Sequence, residues 1–313
     1  MSGKRVSTRS PKAATTRARR VEPRPTVAGV AISHPERPIS GATGLTKLDL
    51  VRYVERVGAW LVPHIDRRPL SLVRCPGSHI EHCFYQRHPF EDDEAPRSAV
   101  TDVPFVRLPD LSAAIRAVQL GAFEIHSWGS SVPRVDRPDR IVLDLDPDPD
   151  LPWASFRDAC ELTRALLDRL ELAWFVKTTG GKGLHFVVPI ARRDGWEPVR
   201  AMARAMALEL AASAPSLIVA TMGKAKRAGR VYVDWLRNGE GATAVAAYSP
   251  RSRPGLPVSM PIAWPELERD VRGAHFTIAN VPGILARRRR DPWAGYAATR
   301  QSLTAAHRRA LRV

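Results

Sequence analysis

Apolar and polar positions along this chain recur with two periods, and the switches between them mark out its elements. Over residues 46–61, Leu48, Val51, Val54, Val57 and Leu61 follow a helical spacing behind Thr46, which can cap, so a helix is predicted. Residues 153–170 repeat the pattern with Phe156, Cys160, Thr163, Leu167 and Leu170, and 111–120 and 197–212 read as further helices. Short apolar or alternating stretches at 70–74, 123–128, 141–146, 173–178, 184–190 and 231–236 read as strands. The best defined is 141–146. There Ile141, Leu143 and Leu145 share one face, while Val142, Asp144 and Asp146 share the other, until Pro147 and Pro149 end the ladder. Residues 75–94 are turn-rich and read as an exposed loop.

The flanks lack either period. Residues 1–27 are basic, polar and proline-containing, as expected of a disordered tail or linker. The folded unit is expected over 28–300, with a C-terminal basic tail at 301–313. No internal repeat is evident. The run Arg287 to Arg290 reads as a solvated face or a contact for a phosphate backbone.

At 313 residues and 44% hydrophobic, the chain can bury a core without metals or disulfides as staples. Its three cysteines, Cys75, Cys83 and Cys160, with no secretory apolar segment, point to a reducing cytoplasm. No apolar run approaches the length of a membrane span. The formal charge of +16 suits a polyanionic partner. Eight basic side chains against Glu22 lie in the first thirty residues, and removing them still leaves roughly +9. Part of the arginine excess over lysine can reflect genome base composition, but the distribution favours nucleic-acid affinity.

In an extended strand, Asp144 and Asp146 project from one face about 6 to 7 Å apart at the Cα level. Two carboxylates that close stay ionised when a cation compensates them, and Mg²⁺ or Mn²⁺ with oxygen ligands is the usual answer. Asp234, on another alternating strand, offers a third ligand. The competing reading is a strand-ending Asp-x-Asp turn. A calcium loop starting at Asp144 is excluded, because it would want Gly and Glu where the chain has Pro149 and Ser155. Lys182 lies in the turn Thr179-Gly180-Gly181-Lys182-Gly183 between two strands, where small residues let backbone N–H groups approach a triphosphate. It is not a P-loop, since Val176 and Gly183 occupy positions where that motif needs Gly and Ser or Thr. A plain hairpin turn with an exposed lysine remains open, as does a structural role for His185. Cys75, His79, His82, Cys83 and His88 match no regular zinc spacing.

Three separated motifs, IVLDLDP (141–147), KTTGGKGLHF (177–186) and VYVDWLRNGEGATAVAAYSPR (231–251), closely resemble the polymerase domain of bacterial DNA ligase D, in the archaeo-eukaryotic primase superfamily. The likeness runs from about Ile32 to Trp293 and takes in LTKLDLVRY (45–53), RPLSLVRCP (68–76), CFYQRH (83–88) and EIHSWG (124–129). It implies an α+β fold: a primase-like catalytic subdomain with a mainly antiparallel sheet, beside an N-terminal α/β portion. It also implies that Asp144, Asp146 and Asp234 bind two metal ions, Mn²⁺ or Mg²⁺. His126, Thr179, Lys182, His185, Arg227 and Arg251 would bind the nucleoside triphosphate. Arg37 and Lys47 would take a DNA 5′-phosphate, and Phe84 and Tyr85 would stack near the template. Thr179 stands where Ser is common, and Arg87 replaces a frequent Lys.

The expected activity is primer extension and gap filling at DNA ends with NTPs or dNTPs, ribonucleotides favoured, in non-homologous end joining. Ku and an ATP-dependent ligase, on this or a separate chain, are the expected partners, in a nucleoid-associated bacterial cytoplasmic setting. The rival readings are a primer-independent primase and a non-catalytic DNA-end-binding module.

Overall fold

The computed structural model describes residues 24–42, 44–90 and 104–313. Most of the tail expected at 1–27 lies outside the described residues. Its last residues are already folded, as β1 (Thr26–Val27) pairs with β2 (Val30–Ala31). The remaining strands are β3 (Leu70–Arg74), β4 (Phe84–Gln86), β5 (Ala122–Trp128), β6 (Arg140–Pro147), β7 (Phe175–Thr178), β8 (Leu184–Pro189), β9 (Ile218–Val219), β10 (Val231–Asp234), β11 (Thr243–Val245) and β12 (Pro261–Ile262). The helices are α1 (Lys47–Leu61), α2 (Leu111–Gln119), α3 (Trp153–Arg169), α4 (Trp196–Ser213), α5 (Val281–Arg287) and α6 (Ala305–Ala310).

Six strands form the larger sheet in the order β12-β7-β8-β6-β10-β9, antiparallel except for the β10–β9 pair. A second, fully antiparallel sheet has the order β11-β5-β3-β4. The fold is thus the expected α+β type. The alternation of β6 appears as two chemically different faces. Ile141, Leu143 and Leu145 are all 0% exposed in the core, whereas Asp144 and Asp146 line a cavity on the other side. Helix α4 packs on β6 and β9, and α3 packs on α4. In the N-terminal portion α1 packs on α2, and α2 on β5.

Thr46 caps α1 as expected. Its hydroxyl accepts from the Asp49 N–H, and the Asp49 carboxylate accepts from the Thr46 N–H, a reciprocal capping box. The two portions are joined by a continuous core and by the buried Tyr53 hydroxyl of α1, which donates to the Tyr248 carbonyl at 2.7 Å.

Three expectations change. The loop expected at 75–94 contains β4, which pairs with β3 through Leu72, Val73 and Arg74. Cys75 and Cys83, expected as free thiols, form a disulfide that closes the chain just before β4, so neither thiolate is available to a zinc ion. Cys160 is free and buried. Residues 301–313, expected as a tail, are docked: Leu303 and Leu311 are buried, and α6 carries a Thr304 cap. The Gln301 side-chain amide donates to the carbonyls of Ala173 and Pro189 and accepts from the Ala173 N–H, tying the segment to the six-stranded sheet. No helix among the described residues is long and apolar enough to cross a membrane.

Candidate active site

Strand register builds the centre of the site. Asp144 on β6 stands directly opposite Asp234 on β10 and His185 on β8, and His185 stands opposite Lys177 on β7. Directly opposed residues of antiparallel strands project to the same side. One lateral row therefore carries Lys177, His185, Asp144 and Asp234 across four strands, all at most 9% exposed. Asp146, two residues further along β6, faces the same way.

Hydrogen bonds and one ion-pair contact connect its first three members. Lys177 Nζ lies 2.7 Å from Ser259 Oγ and 3.0 Å from His185 Nδ1, and His185 Nε2 lies 3.3 Å from Asp144 Oδ1. A lysine N–H donating to Nδ1 leaves the imidazole proton on Nε2, facing the carboxylate; the other tautomer would set a bare nitrogen against an anionic oxygen. Burial, reinforced by Lys177, pushes His185 down to about 4. Burial likewise drives the Lys177 ammonium far below its ordinary value. Burial alone would raise Asp144, but His185 and the Arg237 guanidinium outweigh it and hold the acid well below the usual carboxylate range. His185 Nε2 and the Arg237 guanidinium thus face the two oxygens of the Asp144 carboxylate. Around Asp146 the charges of Lys182 and Arg237 are outweighed. Burial and the neighbouring Asp144 raise it to about 6.

Such a site fits a hard divalent cation. The donors are carboxylate oxygens, the chemistry preferred by Mg²⁺ and Mn²⁺. Asp144 Oδ1 is buried without a hydrogen-bond donor in proper geometry, and two of the three acids crowd each other at a cost that a cation would remove. Yet among the described residues no three acidic, His or Cys side chains are already gathered around one metal position. Arg237 explains this: its Nε lies 3.2 Å from Asp144 Oδ2 and 3.3 Å from Asp234 Oδ2, between the two carboxylates.

The three aspartates open on a cavity of about 480 Å³, whose wall continues through His185, Thr179 and Lys182. The Thr179 to Gly183 turn meets the sheet at close quarters. A Cβ on Gly183 would stand 2.3 Å from the Leu145 carbonyl oxygen, so the turn comes this close to β6 because the residue is glycine. Gly180 has φ +67°, and the Thr179 hydroxyl accepts from the Gly181 N–H while donating to the Gly183 carbonyl. Lys182 and Arg253 are exposed at the rim.

The four-stranded sheet supplies the opposite wall. Glu124 and His126, two residues apart on β5, face the cavity side together with Tyr85 of β4. Glu124 accepts from His126 Nε2, from Arg251 Nε and from the Ser252 N–H and hydroxyl, at 2.7 to 2.8 Å. Arg251 Nη1 also donates to the Thr179 carbonyl at 2.6 Å, linking the two walls. Although burial opposes ionisation, His126 and Arg251 bring Glu124 down to about 2. A depressed acid contributes stability that is complete above its unfolded pKa and is lost as pH falls through the folded one. The shift corresponds to about 3 kcal/mol. Glu124→Gln is expected to remove this increment, so that urea unfolding of wild type and variant converges as pH falls from 5 toward 2.

Of the residues expected from sequence, the aspartates, His126, Thr179, Lys182, His185, Arg251 and Tyr85 all line the one cavity. Phe84, 46% exposed, faces away from it and packs under the Arg74 guanidinium. Arg227 does not reach the wall; it stacks 3.6 Å over the Tyr232 ring and donates to the Met222 carbonyl. Arg37 and Lys47 form a separate basic pair at the start of α1. Lys47 Nζ donates to the Ser33 carbonyl, and burial followed by the charge of Arg37 lowers its pKa. Sequence reasoning missed Lys177, Glu124 and Arg237, although each lies inside one of the quoted motifs. It also missed Asn238, whose amide exchanges hydrogen bonds with the Val142 backbone and so fixes the turn that carries Arg237.

Residues 46–293 match the family model described as LigD, primase-polymerase domain. The chain is 42% identical over 296 residues to the multifunctional non-homologous end joining protein LigD of Pseudomonas aeruginosa, covering 92% of this chain and 35% of that protein. It is 30% identical over 250 residues to the corresponding protein of Mycolicibacterium smegmatis, covering 76% of this chain and 32% of that one. It therefore spans about a third of the length of these curated relatives. Among solved structures, the polymerase domain of Mycobacterium tuberculosis ligase D in complex with DNA superposes with a TM-score of 0.74 at 26% identity, covering 82% of this chain and 94% of that one.

Proposed function

Because the chain belongs to the LigD primase-polymerase family, we propose that it extends a primer 3′-end across short gaps at DNA breaks, using nucleoside triphosphates and two divalent metal ions in end joining. The observation that carries this reading is the convergence of the aspartate row and the Thr179 to Lys182 turn on one cavity. Asp144, Asp146 and Asp234 would hold Mn²⁺ or Mg²⁺, which when bound activates a primer hydroxyl and neutralises the triphosphate and its leaving group.

The chain's own residues do the rest. Lys182 and the glycine-rich turn bind the triphosphate through charge and backbone N–H groups. Arg251, held by Glu124, presents its guanidinium from the facing wall, and His126 is oriented by the same carboxylate. His185 offers an Nε2 proton beside Asp144, kept in that tautomer by Lys177. Tyr85, 60% exposed, gives an unpaired template base a stacking surface. The Lys47 and Arg37 pair, outside the cavity, is suited to the 5′-phosphate on the far side of a gap. Ku and a ligase are the partners this role implies.

The test is extension of gapped DNA bearing a recessed 5′-phosphate, with NTPs or dNTPs, Mn²⁺ or Mg²⁺, and with or without the primer strand. Expected is primer-dependent extension that favours NTPs with Mn²⁺. Synthesis undiminished without primer would identify a primase instead, and binding without synthesis an end-binding module. For Lys47→Ala, the preference for a 5′-phosphorylated gap over an unphosphorylated one should shrink by about tenfold, the lower end for one charge-assisted phosphate contact. An unchanged ratio of the two affinities removes Lys47 from this role.

A further inference from the structure

Arg237 Nε lies between two of the acids that would hold a divalent cation. Its Nε–H donates to Asp144 Oδ2 at 3.2 Å and its Nε lies 3.3 Å from Asp234 Oδ2, with no two-pronged hydrogen bond to either carboxylate. Shared contacts of this kind lack the parallel bonds that make arginine pairs strong and specific. The two acids are anchored, with side chains 6% and 13% exposed, while the Arg237 side chain is 41% exposed and borders the cavity. Its backbone does not move freely, because the Asn238 amide is locked to Val142 and to the Trp235 carbonyl. The side chain is the part with room to leave, and it already borders the cavity.

A divalent cation held by Asp144 and Asp234 would compete with the guanidinium for their oxygens. We propose that Arg237 is a built-in counter-cation that closes the metal site when no metal is bound, and that metal binding displaces it into the cavity, where the anion it meets is the triphosphate. The residue thus couples metal occupancy to nucleotide binding: the metal releases Arg237, and the released guanidinium adds a contact to the phosphates. This inference rests on the proposed metal role of the aspartates.

The test uses the full chain without nucleotide. Mn²⁺ affinity, measured by calorimetry or by the electron paramagnetic resonance signal of free Mn²⁺, should be about tenfold tighter in Arg237→Gln than in wild type, a typical size for linked equilibria. The metal-free variant should also melt lower, with a larger rise in Tm on adding Mn²⁺. Arg237→Lys, which keeps the charge but not the Nε–H, should bind Mn²⁺ with intermediate affinity. In the wild-type protein, the Arg237 Nε–H resonance, assigned by its loss in Arg237→Gln, should shift as diamagnetic Mg²⁺ saturates the site. Nucleotide KM should rise in Arg237→Gln when metal is saturating. Unchanged or weaker Mn²⁺ binding by a folded Arg237→Gln overturns the inference, as does an Arg237 resonance that ignores Mg²⁺. Asp144→Ala separates the two levels: Mn²⁺ binding at wild-type strength in that variant sinks the metal reading itself. If that binding is lost and Arg237→Gln is unaltered, only the counter-cation role fails.

Discussion

Asp144→Ala is expected to lower primer extension by at least about a hundredfold, since even losing an outer partner of a metal site costs ten- to a hundredfold. Asp144 is the middle of the row, touching both His185 and Arg237 and standing opposite Asp234. Its removal would take away a proposed metal donor, the carboxylate facing His185 Nε2 and one of the two anions beside Arg237. Affinity for gapped DNA should survive, because that affinity comes largely from cations placed on phosphates, and Arg37 and Lys47 lie elsewhere. Extension by single-turnover kinetics and binding by fluorescence anisotropy separate the two effects. Extension at the wild-type rate would remove Asp144 from the catalytic centre.

Gly183→Ala should cause the second large loss, and through the backbone. The added Cβ would sit 2.3 Å from the Leu145 carbonyl oxygen and 3.2 Å from Asp146 Oδ1, so β8 must move away from β6 at the point where the aspartates are placed. Overpacking of this sort costs about 1–3 kcal/mol or more, which lowers Tm by several degrees. Nucleotide affinity should fall with it, because the turn carrying Lys182 is displaced. Gly223→Ala, whose added methyl would meet nothing within 4 Å, is the control expected to melt like wild type. Equal melting of the two variants would mean that the turn yields without cost.

The elements most legible in the sequence are those whose period is long and whose burial is one-sided. Helix α3, expected at 153–170, runs Trp153–Arg169, and α4, expected at 197–212, runs Trp196–Ser213. The alternation of β6 locates two of the three aspartates on one face because the strand has core on one side and cavity on the other. What stays hidden is short or held from outside. Strand β4 has three residues with both Phe84 and Tyr85 exposed, so it shows no apolar alternation, and only pairing with β3 makes it a strand. Strand β12 and helix α6 are likewise too short for a period to emerge. The Cys75–Cys83 bond depends on β3 and the following turn bringing two sulfurs together, which spacing alone does not reveal.

The site divides in the same way. Carboxylates on alternating strands advertise themselves, but partners chosen by register do not. Lys177 reads as one more basic residue until β7 is placed beside β8, and Glu124 reads as a surface acid until Arg251 and Ser252 return from far along the chain to meet it. Arg227 shows the converse. Its distance from Asp234 along the chain matches the expected pattern, yet its guanidinium is engaged by Tyr232 and Met222 outside the cavity wall.

The Gln301 tie sets a limit on how this unit can be shortened or joined to another. Its amide bridges the chain just before β7 to the end of β8, the two strands that frame the Lys182 turn, from a segment beyond the last residue matched by the family model. A cut at residue 293 would respect the family boundary and still unpin the far ends of both strands. A fusion partner added after Leu311 would leave that clasp in place.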